Sequence, residues 1–201
     1  LYYYNPYPKK TLTPQKMPLV KKYTSSKLEE SIDKLGLQQF DVKADGDCLF
    51  HSLVFLFKDQ TVTSKDIRKK MVDYICENSE IYEYITVMGG YGDRMHILRE
   101  ELEYISNPKT YDVPIFDLFP VIIASAFQIE LQIYPWQSND ENDIGITECD
   151  MESYMPLNPS VYVPIIKLLY VDGIHYKPMA YVGETDMKLL PPEKKKRRKN
   201  Y

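Results

Sequence analysis

Three observations in this 201-residue sequence predict an α+β domain with a small sheet flanked by helices. Apolar residues recur at helical spacing between residues 26 and 127, and β-branched and aromatic residues alternate from residue 129 onward. An Asp-Gly pair at 172–173 separates two of the alternating runs, the pattern of a hairpin.

Each element follows from local chemistry. Ser26 and Glu29 read as a capping box opening a helix, Leu28, Ile32 and Leu35 form its stripe, and Gly36 ends it. "LQQFDVKA" reads as a short strand leading into the Asp45-Gly46 turn. "CLFHSLVFLF", residues 48–57, is apolar nearly all round and is predicted to be the central, buried helix. Ile67, Met71, Tyr74 and Ile75 mark a second stripe, and "DRMHILREELEYIS" is amphipathic through Met95, Leu98, Leu102 and Ile105. Pro114 is placed to open a further helix, "IFDLFPVIIASAF", with Pro120 in its first turns. "IELQIY", "YVPIIKLLYV" and "IHYKPMAYV" then read as strands, the last two joined by the Asp-Gly turn. Residues 136–158, rich in acids, Asn and Ser, read as a loop or insertion.

Composition bounds the rest. Length fits one domain, residues 26–185, with an extended Tyr- and Pro-rich basic arm at 1–25 and a basic tail at 186–201. Residues 1–28 hold six lysines and no acid, and "KKKRRK" at 194–199 adds six positive charges. Removing those twelve from a net charge of −4 leaves −16 for residues 29–193, so the middle should prefer a basic partner surface. The tail reads as a nuclear-localisation signal, a nucleic-acid contact or simply a solvated charge run. No apolar stretch is long enough for a membrane span, and the missing initiator Met suggests a fragment or processed piece. Cys48, Cys76 and Cys149 are odd in number and contain no CxxC, which argues against a disulfide framework or a zinc site. A reducing, cytoplasmic or nuclear setting and a monomer are expected.

One stretch points to chemistry. "ADGDCLFHSL", residues 44–53, delivers a cysteine from a glycine turn onto the start of the most apolar helix. A thiol attacks as thiolate, and a helix N-terminus and a neighbouring imidazole both favour that form. Gly46 permits a tight turn that can aim N–H groups at an oxyanion. The same position also suits a small buried hydrophobe, which needs no reactivity. Of the three histidines, His51 lies one turn beyond Cys48 and His96 sits on an amphipathic helix. His175 starts the strand after the Asp-Gly turn, where a hairpin edge could present it to a helix N-terminus.

The residues "ADGDCLFHSL", "SNPKTYDVPIFDLFPVIIASAFQIELQIY" and "GIHYKPMAYV" resemble, in order, the three blocks of the ovarian-tumour (OTU) family of cysteine proteases, spanning about residues 40–182. The resemblance implies a papain-related fold with a small central sheet flanked by helices. It implies a thiol-dependent deubiquitinase that cleaves isopeptide or peptide bonds at the C-terminus of ubiquitin or a ubiquitin-like modifier. Cys48 matches the nucleophile, His175 the general base, and Asp45 the aspartate that shapes the oxyanion loop. No metal or cofactor is implied, and substrate tails in this class are basic.

Three departures from the family pattern stand out. Asp47 replaces the common asparagine; unscreened, its charge should raise the thiol pKa. Tyr111-Asp112 stands where Trp-Gly is common. Lys177 occupies the place of the Asp or Asn that orients the histidine, and a lysine cannot accept a hydrogen bond. Asp172, Asp33 and Asp41 are the candidate substitutes. Two alternatives accompany this reading: a catalytically weak pseudoenzyme that binds ubiquitin or another partner, and a polyprotein-processing protease.

Overall fold

The computed structural model describes residues 25–57, 61–88, 95–110, 114–138 and 145–183. Residues 1–24 of the basic arm, the basic tail and Tyr111-Asp112 lie outside the described residues.

Helix α1 (Ser26–Lys34) leads through Gly36, at φ 68°, into strand β1 (Leu37–Gln39). The predicted helical stretch then resolves into α2 (Cys48–Phe57), α3 (Ser64–Glu77), α4 (Ser79–Met88), α5 (Met95–Ile105) and α6 (Phe119–Phe127). Strands β2 (Glu130–Trp136), β3 (Glu152–Tyr154), β4 (Ile165–Val171) and β5 (His175–Tyr181) complete a five-stranded sheet in the order β1-β5-β4-β2-β3. Only the β2–β4 pair is parallel; β4 and β5 form the expected antiparallel hairpin, with Val171 opposite His175. Both residues of its Asp-Gly turn take positive φ, 54° at Asp172 and 67° at Gly173, as a type I′ turn requires.

The sheet is buried on both faces. On one, Leu131, Ile133, Ile166, Leu168 and Tyr176 pack with residues of α2, α3 and α6. On the other, Leu37, Tyr134, Leu169, Val171 and Met179 pack with Leu28 and Ile32 of α1. Because α2 is apolar on nearly every side, it takes the central place in the helical layer, with Leu49, Phe50 and Leu53 all buried. Among the described residues, no helix is long and apolar enough to cross a membrane.

Four details differ from the sequence reading. The cap of α1 is Ser25, whose Oγ accepts from the Leu28 N–H at 3.2 Å, one residue earlier than predicted. A serine in extended conformation three positions before an N–H reaches it, whereas Ser26 is already helical. The helix predicted from Pro114 is split into a 3-10 turn (Pro114–Leu118) and α6, with Pro120 in the first turn of α6, where its missing N–H has no partner to lose. Helix α4 is additional; it buries only Ile81 and Ile85, too thin a stripe to read without its neighbours. Finally, the 136–158 segment is not loop throughout. Ile146 is buried and donates its N–H to Ser31 Oγ at 3.0 Å, and β3 pairs with β2, in a run too short to show a period.

Candidate active site

Residues 45–51 hold themselves together through one carboxylate oxygen. Asp45 Oδ1 accepts the Asp47 N–H at 3.2 Å, and His51 Nε2 lies 3.1 Å from the same oxygen. Gly46, at φ 86°, makes the left-handed turn that this local bonding needs. His51 therefore ties the first turn of α2 to the loop before it, and its Nε2 addresses Asp45 rather than the thiol.

Asp47 turns away from the sulfur. Its Oδ1 accepts from Arg68 Nε at 2.7 Å and from the Lys109 N–H at 2.9 Å, and both Asp47 and Arg68 are buried. Arg68 also donates to the carbonyls of Gly46 and Ile105 and to Thr110 Oγ1, and its guanidinium stacks 4.0 Å from the Phe50 ring. The charge that the sequence places beside Cys48 is thus neutralised by a fully desolvated arginine, so the expected effect of an unscreened Asp47 does not arise. Sequence reasoning missed Arg68. A signal was present: Arg68, Met71 and Ile75 share one helical stripe, and all three are buried.

Cys48 opens α2 and is 6% exposed. Its Sγ accepts the backbone N–H of Tyr176, the residue after His175, at 3.4 Å. One turn on, Ser52 Oγ donates to the Tyr176 carbonyl at 3.3 Å. β1 pairs with β5 only over Met179–Tyr181, so the side chains of α2 close the strand edge that β1 leaves open at Tyr176. Burial pushes the Cys48 thiol up, while the N–H groups of Tyr176, Leu49 and Cys48 pull it back; the Asp45 charge adds a smaller upward push. On balance the thiol is raised above its ordinary value.

His175 is 3% exposed, and its Nδ1 has no hydrogen-bond partner among the described residues. Burial lowers its affinity for a proton, Lys177 lowers it further and Asp41 opposes them. None of the three candidate acids reaches that nitrogen. Asp172 is occupied across the sheet end, its Oδ1 accepting from Ser138 N–H at 2.7 Å and Ser138 Oγ at 2.9 Å. Asp33 is exposed on α1. Asp41 pairs with Lys177 Nζ at 2.9 Å.

Beside Tyr176 lies a cavity of about 370 Å³, lined by Phe116, Asp117, Glu152, Tyr154, Tyr170 and Tyr176 among others. The Tyr170 and Tyr176 rings stack at 4.3 Å between centroids. Tyr154 OH donates to Glu152 Oε2 at 2.6 Å, and burial together with that carboxylate pushes the phenol up to about 12. Two carboxylates over aromatic walls suit a cationic guest.

Asp45, Asp47 and His51 bring their ligand atoms within 4.8 Å of one another, a spacing compatible with a cation. Those atoms are already engaged in the loop's internal bonds and in the Arg68 pair, so the set reads as a scaffold rather than a metal centre.

No family model matches the sequence, and no curated protein sequence matches it either. The fold has clear counterparts. The OTU domain of OTUD1 superposes with a TM-score of 0.58 at 16% identity, over 77% of this chain and 92% of that one. An OTU deubiquitinase from Wolbachia pipientis wMel gives 0.51 at 14% identity, over 77% and 94%. The viral OTU domain protease from Qalyub virus gives 0.51 at 14%, over 73% and 85%. At such identities it is architecture that is shared: a five-stranded sheet flanked by helices, which gives this chain the OTU-domain fold.

Proposed function

We propose that the chain is a deubiquitinase-type cysteine protease in which Cys48 is the nucleophile, His175 the general base and the Asp45 loop the oxyanion cradle. One observation carries the reading: the sulfur at the start of α2 is hydrogen-bonded to the strand residue that adjoins His175. Nothing in core packing requires a thiol to sit against a backbone N–H between a glycine turn and a histidine.

In the proposed reaction His175 takes the Cys48 proton as the sulfur attacks the carbonyl carbon of the substrate's terminal glycine. The negative charge moves to the carbonyl oxygen, where the N–H of Cys48 and the loop held by Asp45 can meet it. Collapse breaks the C–N bond; the imidazolium returns its proton to the departing amine and a thioester remains. Water, deprotonated by His175, then releases the glycine carboxylate and restores the thiol. Asp117 and Glu152, in the cavity next to Tyr176, favour a basic tail on the substrate side.

Incubating the whole chain with a ubiquitin bearing a C-terminal electrophile tests the reading by intact mass. A single adduct lost in Cys48→Ala and in His175→Ala supports it. A folded wild-type protein that forms none with ubiquitin or a ubiquitin-like modifier would refute it. A second reading, a weak enzyme that chiefly binds its partner, is favoured by the deep burial of the thiol and by an Nδ1 that has no partner among the described residues. Ubiquitin affinity without adduct or cleavage selects it.

A further inference from the structure

We infer that Lys177 restrains His175 by holding Asp41, so that this ion pair sets how well the imidazole serves as a base. The inference rests on the assignment of His175 as the base.

Side chains two apart on a strand share a face, and the register places His175 and Lys177 opposite Val171 and Leu169. From position 177 a carboxylate or amide could accept a hydrogen bond from the ring. A lysine there can only donate, and it disfavours the imidazolium that catalysis must form. Its side chain is 16% exposed and lies along the sheet, while the Asp41 carboxylate is 76% exposed and is drawn to the ammonium at 2.9 Å. Among the described residues Nδ1 of this buried ring has no partner, while the Asp41 carboxylate pairs with Lys177. Buried polar groups in native folds are nearly always bonded, so an Nδ1 without a partner among the described residues calls for a reason.

Among charged groups near the imidazole, Lys177 comes from its own strand and Asp41 from the segment after β1. Asp172, in the adjoining turn, is committed to Ser138. Asp41 is therefore the acid able to orient the ring once Lys177 lets go. The pair is weak by nature, since one partner stands largely in water. It biases an equilibrium and does not lock one. Lys177 and Asp41 are positioning residues acting through His175.

The test compares wild type, Lys177→Met and Lys177→Met with Asp41→Asn. Met keeps most of the aliphatic stem and removes the ammonium. With a fluorogenic ubiquitin C-terminal amide, Lys177→Met should raise kcat about three- to tenfold, the size of one weak ion pair. The acidic limb of its pH profile should move upward, because a ring next to a carboxylate and away from an ammonium keeps its proton to higher pH and must lose it to act as the base. Adding Asp41→Asn should abolish the gain. An unchanged or slower Lys177→Met, or a gain that survives Asp41→Asn, overturns the inference. Iodoacetamide labelling of Cys48, followed by peptide mass, needs no ubiquitin and separates this inference from the substrate assignment. Faster labelling of Lys177→Met than of wild type at about pH 6–7 upholds the restraint even if ubiquitin proves not to be the substrate. Equal labelling overturns it.

Discussion

Arg68 Nε lies 2.7 Å from Asp47 Oδ1, and neither side chain has appreciable contact with water. The same guanidinium bonds the Gly46 carbonyl in the turn before Cys48 and the Ile105 carbonyl at the end of α5. This buried pair thus ties the turn before Cys48 to α3 and α5 and to the segment that precedes the 3-10 turn, Arg68 bonding Thr110 Oγ1 and Asp47 accepting the Lys109 N–H.

Breaking that pair from one side should be severe. Arg68→Met leaves Asp47 charged and unpaired, which should cost about 3–5 kcal/mol in chemical denaturation. Asp47→Asn introduced together with Arg68→Met should recover much of the loss, since no buried charge then remains. A double mutant as unstable as Arg68→Met alone would show that the arginine acts by packing on Phe50 instead.

His175 supplies a pH dependence with a definite sign. Its folded-state pKa lies below 6.5 because burial and Lys177 penalise the charged ring. The unfolded chain therefore binds more protons in that window. The contribution of His175 to stability is complete above 6.5 and fades as the pH falls from there through the depressed folded value. Denaturation midpoints measured across that range should fall less steeply for His175→Gln than for wild type. Parallel slopes would contradict the burial penalty.

Gly145 is a packing requirement of a different kind. A Cβ there would stand 2.6 Å from Ser31 Cβ and 2.9 Å from the Lys27 carbonyl, and backbone cannot yield as a side-chain tip can. Gly145→Ala should destabilise the protein by about 1–3 kcal/mol and raise amide hydrogen exchange at Ile146, whose N–H would leave Ser31 Oγ. Unaltered exchange at Ile146 would mean that the segment docks by other contacts.

Charge in the cavity should affect recognition and not the thiol. Asp117→Lys with Glu152→Lys should weaken reaction with the ubiquitin electrophile about tenfold or more by reversing the field beside the site. Iodoacetamide labelling of Cys48 should change far less. Equal losses in both assays would indicate a disturbed fold instead of a lost binding contact.

The sequence carried the architecture and the glycine turn that leads Cys48 into α2 because both are local. The helical period, the alternation after residue 129 and the Asp-Gly hairpin each depend on neighbours within a few residues, and the elements formed close to where they were read. Ser25 as the cap, the break before α6 and the three-residue β3 escaped, since each turns on one residue or on a partner strand. Around the sulfur the limit is clearer. "ADGDCLFHSL" names Asp45, Cys48 and His51, but not that Asp45 binds His51, that Asp47 faces Arg68 or that Lys177 takes Asp41. Those pairings join residues six to one hundred and thirty-six positions apart. Short-range pattern determined which groups could carry chemistry. Only the folded chain, by bringing distant charges together in a medium where none can remain unpaired cheaply, decided which of them are already spoken for.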